Sequence, residues 1–326
     1  MLIKGLRRLL MSEYLVLYLC LLYFAVMSII EPIFAGGENL ANIFANMLPL
    51  LIIAAGQTVV LITGGIDLSV TSIVAVCSIV GASLITSDGG VLAGMPFGVG
   101  LTFIVMLLIG MFIGWLNGIA VTKFGMPPFI VTLTMMMAVS GFAIWYSKSL
   151  PIYNLPDSFV FLGRDAFFFI PYAAVVVGIV LWLIHFMLNH TLFGRWIYSV
   201  GMNVKASQIS GVPVHRTLIW VYVISAICGV IGAILLTGRL ETGSPVMARG
   251  MFLDVVGAAV IGGTSLFGGK GKVVWTIFGV LFITLIDNSL NLLGLSYFTI
   301  MMVKGAIILI AAFTDSIRNR LLTVRA

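Results

Sequence analysis

Ten stretches of nearly unbroken apolar residues, each close to the length needed to cross a lipid bilayer, constrain this chain more than any other feature. They fall at roughly residues 13–34, 43–63, 70–87, 98–122, 129–147, 168–188, 217–238, 252–269, 273–293 and 297–315. Runs such as Ile104-Val105-Met106-Leu107-Leu108-Ile109 do not alternate apolar with polar residues, so the segments read as helices and not as barrel strands. Of the 326 residues 61% are hydrophobic and 9% charged, where a soluble domain carries about 25% charged residues. The connections left over are too short for a soluble catalytic or nucleotide-binding domain. The expected fold class is all-α: one polytopic membrane domain over residues 1–326 with about ten transmembrane helices. The third and eighth stretches are short and broken by glycine. Irregular backbone is not tolerated against lipid, so both are expected to lie between other helices or to span only in part.

The net charge of +6 forms no basic stripe and argues for membrane topology, not for nucleic acid. With the N-terminus inside, the cytoplasmic side collects twelve basic residues: Lys4, Arg7, Arg8, Lys123, Arg195, Lys205, Arg216, Lys270, Lys272, Arg318, Arg320 and Arg325. The outside collects four, Lys148, Arg164, Arg239 and Arg249, together with Glu31, Glu38, Asp88, Asp157, Asp165 and Glu241. This bias places both termini in the cytoplasm. Lys4, Arg7 and Arg8 resemble the start of a signal peptide, but the apolar run continues to Ile30 without a small-residue cleavage site and reads as an uncleaved first span. Cys20, Cys77 and Cys228 sit in apolar stretches as small hydrophobes, with neither disulfide nor metal spacing.

Polar interruptions carry the remaining information. Gly64-Gly65-Ile66-Asp67-Leu68-Ser69 has glycines for a sharp turn, and Asp67 and Ser69 to cap a helix from Val70. It is either a capped turn or a functional carboxyl kept near the membrane. A second cluster, Gly262-Gly263-Thr264-Ser265-Leu266-Phe267-Gly268-Gly269-Lys270-Gly271-Lys272, fails the phosphate-loop pattern because Gly271 stands where a hydroxyl is required. It reads as a close backbone contact, and its Gly-Gly-x-x-Leu echoes residues 64–68. The external connection 148–167 carries aromatics, prolines and glycine and is expected to form an ordered lid or docking surface. In the internal connection 189–217, Asn203 is an N-cap, Gly211 a helix-ending residue and Pro213 a stop, which predicts a helix of about two turns that needs a surface to lean on. Gln57, Asn117, Asp287, Asn288, Asn291 and Lys304 lie within the apolar stretches. Asp287 and Asn291 share a helical face, and either an ion pair with Lys304 or a polar lining for a hydrophilic solute accounts for them. The histidines form no nucleophile, base and orienter trio, and no enzyme is expected.

Three motifs in order, residues 56–70 (GQTVVLITGGIDLSV), 201–212 (GMNVKASQISGV) and 257–271 (GAAVIGGTSLFGGKG), resemble the membrane permeases of bacterial ABC importers for monosaccharides, the ribose-permease group of the sugar and branched-chain amino acid permease family. The stretch DNSLNLLG at 287–294 is also similar to the ribose branch. Thr71, where relatives usually have glycine, and Val212, where isoleucine is common, depart from the pattern. The resemblance implies a subunit in the bacterial inner membrane that pairs with a second permease around a central pathway. It also implies a periplasmic sugar-binding protein that delivers substrate and an ATP-binding cassette ATPase on a separate chain, so that no cofactor is held here and ATP binds to the partner. The helix at 203–210 then becomes the ATPase-coupling element, with Asn203, Ala206, Ser210 and Gly211 as its residues.

A neutral cargo calls for hydrogen-bonding groups in place of charge. The pathway candidates are Gln57, Gly64, Gly65, Asp67, Ser69, Asn117, Thr132, Thr134, Gly262, Gly263, Ser265, Asp287 and Asn291. Import of another small solute, a signalling furanose or a nucleoside, is the alternative within this class. A lone ion-coupled transporter is the rival outside it, with Asp287 as the plausible relay carboxyl and Asp67 and Asp254 nearer the ends of their stretches.

Overall fold

The computed structural model describes residues 14–323, with side chains to residue 313, and each of the ten apolar stretches contains a helix. Lys4, Arg7, Arg8 and Arg325 lie outside the described residues, as do the side chains of Arg318 and Arg320. In order the helices are α1 (Leu15–Ile30), α2 (Gly37–Ile62), α3 (Val70–Ile85), α4 (Gly98–Lys123), α5 (Pro128–Tyr146), α6 (Asp157–Arg164), α7 (Tyr172–His190), α8 (Leu192–Met202), α9 (Val204–Ile209), α10 (Val214–Leu240), α11 (Phe252–Ile261), α12 (Val273–Leu292) and α13 (Tyr297–Thr323). Strands β1 (Ala166–Phe167) and β2 (Ile170–Pro171) form a two-residue-loop hairpin between α6 and α7. Six helices, α2, α4, α5, α7, α10 and α12, are long and apolar enough to cross a membrane by length and composition. Helices α1, α3, α11 and the Tyr297–Phe313 part of α13 are shorter.

Several boundaries differ from the sequence reading. Helix α2 begins at Gly37, because Glu38, Asn39 and Asn42 ride on polar outer turns that an apolar window rejects. Helix α7 begins at Tyr172, the hairpin around Phe168 (φ +55°) taking residues assigned to the sixth stretch. The eighth stretch ends as helix at Ile261, where Gly262-Gly263 opens a loop that runs to Lys272. The internal connection holds a second helix, α8, whose Thr191 cap accepts from Gly194 N at 3.1 Å. Its amphipathic pattern was hidden by Gly194, Arg195 and Gly201.

Helix α10 is the central element and packs on α2, α3, α4 and α6. Every residue of α2 from 47 to 62 is buried, and so are most of those in α3. Hydrocarbon offers no hydrophobic push between helices, so association relies on close backbone approach. Gly110, Gly114 and Gly118, four apart along α4, provide it against α10. An added Cβ would lie 2.2 Å from Val230 Cγ2, 2.7 Å from Tyr222 O and 2.6 Å from Ile219 Cα, respectively. Large apolar side chains instead face outward from the rim, as Val175, Ile179, Trp182 and Phe186 do from α7.

The connection 148–167, expected to be ordered, holds α6 and the start of the hairpin. Helix α6 lies on α10 with Gly163 against the Leu235 carbonyl, and Ile152 and Gly243 exchange main-chain hydrogen bonds of 2.9 and 2.8 Å. Arg164 meets Asp165 at 2.8 Å, Asp157 at 3.0 Å and Glu241 at 3.5 Å. Hydrogen bonding to Asp165 first, and then to Asp157, raises its pKa above the usual arginine value. These pairs are solvent-exposed and orient the connection more than they stabilise it.

Because backbone atoms oppose Gly114, Gly114→Val is expected to separate α4 from α10 at the upper end of the usual overpacking penalty, about 1–3 kcal/mol. A lowered thermal unfolding temperature of the detergent-solubilised protein is the readout, and an unchanged value would contradict this packing.

Candidate functional site

The loop at 64–69 turns inward. Gly64, at φ +76°, starts the turn, and Gly65 allows the Tyr222 hydroxyl within 2.9 Å of where a Cβ would stand. Asp67 is completely buried. Its Oδ1 accepts from Ser69 N at 3.0 Å and Ser69 Oγ at 2.6 Å, and its Oδ2 accepts from Ser225 Oγ of α10 at 2.9 Å. The first turn of α3 is therefore capped by Asp67. Ser69, the other expected cap, makes no side-chain cap bond and spends its hydroxyl on the carboxyl. Gln57 of α2, with its amide orientation assigned by hydrogen bonding, donates to Asp67 O at 3.0 Å and accepts from Asp67 N at 3.2 Å. Asn117 of α4 donates to Ser69 Oγ at 2.7 Å, and Thr132 of α5 donates to Ile66 O at 3.2 Å.

Four helices thus grip one loop. Gln57, Asn117 and Thr132, expected to line a pathway, are fully buried and serve as its clamps. Thr134 turns its hydroxyl to its own helix, at Ile130 O and Val131 O. Ser225 completes the set and escaped the sequence reading. A lone serine in an apolar run was the available signal.

The three motifs of the resemblance meet at a second junction. Gly269 N donates to Ile62 O at 2.8 Å, and Gly268 abuts Gly64. Gly201, near the end of α8, seats against both loops: a Cβ there would stand 1.8 Å from Ile62 O and 2.6 Å from Gly269 N. Tyr198 of α8 donates to Gly271 O at 2.8 Å. Within the second loop, Gly262 lies under the Trp275 carbonyl, Gly263 takes φ +108°, and Ser265 Oγ accepts from Phe267 N at 3.2 Å.

Helix α9 follows directly. Asn203 caps it through Ala206 N at 3.0 Å, and Gly211 takes φ +81° after it, as the sequence predicts. Ser207 alone of its six residues is buried, where its hydroxyl meets Ser199 Oγ of α8 at 2.8 Å. Ala206 and Ser210 are exposed, and Ile209 is 89% exposed.

Lys304 of α13 pairs with Asp287 at 3.0 Å, as one of the two expectations held, and also with Asp254 of α11 at 2.9 Å. Asp254 lies in the first turn of α11, near the end of its stretch as expected, and from there it reaches Lys304. Asn291 donates to Asp287 O at 2.7 Å.

Two outcomes follow. Asp67→Ala leaves Ser69 N and two hydroxyls without their acceptor, about 1–3 kcal/mol for each that finds no other partner. Ser225→Ala removes one donor and is expected to cost about 1 kcal/mol. Thermal unfolding should rank them in that order; equal stability of both with the parent would dismiss the clamp. Gly201→Ala has no space for its methyl and should be as damaging as core overpacking, about 1–3 kcal/mol. Gly211→Ala meets nothing within 4 Å and should carry only the left-handed backbone penalty, about 1–2 kcal/mol. The same unfolding measurement compares this pair.

Residues 39–312 match the family described as the permease component of branched-chain amino acid transport systems. The ribose import permease protein RbsC of Bacillus subtilis (strain 168) is 36% identical over 296 residues, covering 89% of this chain and 88% of the relative. RbsC of Escherichia coli (strain K12) is 34% identical over 300 residues, 91% of each chain. The L-arabinose ABC transporter permease protein AraH of Azospirillum brasilense is 32% identical over 301 residues, 92% of this chain and 86% of the relative. No solved structure matches the chain. With the fold, the three meeting motifs and these full-length similarities in agreement, the chain belongs to this family of transport-system permeases.

Proposed function

We propose that this chain is the pore-forming permease subunit of a bacterial ATP-binding cassette importer that carries a monosaccharide, a ribose-like pentose, a hexose or a related polyol, across the inner membrane. The observation that carries this reading is similarity over about nine-tenths of the chain to permeases named for ribose and arabinose import. Ten spans with both termini in the cytoplasm, the topology that the loop charges favour, would set Ile62, Gly201, α9 and the loop at 262–272 on the inner side, where an ATPase acts. An exposed six-residue helix cannot hold itself in water, and α9 is fastened by its cap and by Ser207 while its other residues stay open to a partner. ATP is bound and hydrolysed on that separate chain. A periplasmic sugar-binding protein delivers the solute, and a second permease subunit completes the pathway. A lone proton- or ion-coupled carrier would need a free carboxyl in the membrane, but Asp287 and Asp254 are held by Lys304 and Asp67 is enclosed by hydrogen bonds from Ser69 and Ser225.

Reconstitution in proteoliposomes with the cognate ATPase and binding protein is expected to give ATP-dependent D-ribose uptake. The double substitution Ala206→Glu, Ser210→Glu should abolish uptake while the permease remains inserted and stable, since it alters exposed positions only. Sugar uptake that persists with no ATPase chain present would refute the importer reading.

A further inference from the structure

Of the residues expected to touch a solute, Gln57, Asn117 and Thr132 bond to the loop at 64–69, which leaves open where a sugar would sit. Two cavities differ sharply in chemistry. One, of about 250 Å³ between α1, α2 and α12, is walled by residues such as Leu17, Phe24, Phe44 and Leu281. A polyol has nothing to bond there. The other, of about 300 Å³, lies between α3, α5 and the loop that joins α10 to α11, and Thr71, Ser72, Ser140 and Arg249 line it together with Met137 and Met247. Its volume is at the small end of the range for small-molecule sites, about 300–1,000 Å³.

Its position is fixed by bonds already described. Thr71 and Ser72 belong to the first turn of α3, and Ser72 Oγ donates to Ser69 O at 2.7 Å, so the floor of the cavity is built on the clamped loop. That loop touches Ser225, eleven residues into α10 and so about 16 Å from its inner end. The floor is thus within the membrane thickness. From the other side, the loop at 241–251 dips between helices. Ser244 N donates to Ser78 Oγ at 3.2 Å, and Gly243 fits only because it lacks a Cβ, which would lie 2.2 Å from Ala82 Cβ. This loop carries Met247 and Arg249 to the cavity wall.

The lining suits one class of solute. Thr71 and Ser72 donate their hydroxyl hydrogens to Leu68 O and Ser69 O and keep lone pairs to accept from a guest, while the Ser140 hydroxyl can donate or accept and a guanidinium offers five donors. No carboxylate lines the cavity, so a cation has no counter-charge there. Methionines give an adaptable apolar wall for the carbon face of a sugar ring. We propose that this cavity, between the first turns of α3, the outer half of α5 and the dipping loop at 241–251, is the station for the neutral monosaccharide in transit. The proposal rests on the sugar-importer reading above and assigns that function a place which the sequence-derived candidates do not occupy.

The test uses the assembled transporter in proteoliposomes with its ATPase and binding protein. Ser140→Cys is treated with a membrane-impermeant methanethiosulfonate; the parent, whose Cys20, Cys77 and Cys228 are all buried, is the control. Modification is expected to lower D-ribose uptake about tenfold, equivalent to about 1.4 kcal/mol, with protection by D-ribose delivered on its binding protein. Ala75→Phe, which fills the cavity, should lower uptake at least as far while the complex still assembles and elutes as a single species. If Ala75→Phe fails to assemble, the cysteine protection decides alone. Parental D-ribose uptake together with an unreactive or unprotected thiol in the Ser140→Cys variant overturns the cavity assignment and leaves the importer reading intact. Protection by D-ribose 5-phosphate in place of D-ribose also overturns it, in favour of an anionic solute. Absence of any monosaccharide uptake by the parent overturns the importer reading itself.

Discussion

A carboxyl group withdrawn from both water and lipid has to be surrounded by donors, and at Asp67 that requirement organises the molecule. Its main chain is held by Gln57, its side chain by Ser69 and Ser225, and its neighbours by Asn117 and Thr132. Apart from Ser69, which belongs to the loop, each of these residues sits on a different helix, so satisfying one loop fixes the mutual placement of α2, α4, α5 and α10. The half-length α3 can begin inside the protein only because this loop ties off its start. What resembled a solute-binding set is first of all a joint.

The junction of Ile62, Gly201 and Gly269 follows another logic, that of bare backbone. Gly201, Gly268 and Gly269 bring three main chains within hydrogen-bonding distance, and Ile62 O finds its donor in a loop about 200 residues away in sequence. Irregular backbone inside a membrane protein survives where other protein backbone satisfies it. The failed phosphate-loop pattern around Gly269 is thereby accounted for: its glycines make room for α8, and its lysines lie beside Trp275, with Lys272 Nζ 4.5 Å from the ring centroid.

Much of this was legible in the chain. Apolar length located a helix in each of the ten stretches, and Asn203, Gly211 and Pro213 bounded α9, because capping and breaking are local events. Lys304 with Asp287 was foreseeable, since a buried ammonium needs a carboxylate. What stayed hidden depends on contacts between distant segments. Asp254 meets Lys304 across 50 residues of sequence, and Ser225, Tyr198 and the cavity at α3 and α5 give no signal until the helices are stacked. The candidates Gln57 and Asn117 were correctly singled out as unusual. Both bond to the loop next door, and residue type alone does not separate such a bond from a lining for a guest.

Helix α10 is one unbroken rod of 27 residues, about 40 Å long. One end emerges from Pro213 just after α9, and the other stops at Glu241, beside the strap that joins Ile152 to Gly243. A stiff rod has one orientation along its whole length. Any tilt imposed near α9 therefore arrives at the strap as the same tilt, with the direction of travel reversed if the clamp at Ser225 serves as the fulcrum. The chain carries in this single helix the geometry of a lever: one arm beside α9, the other beside the strap, and Ser225, bonded to the buried carboxyl of Asp67, between them.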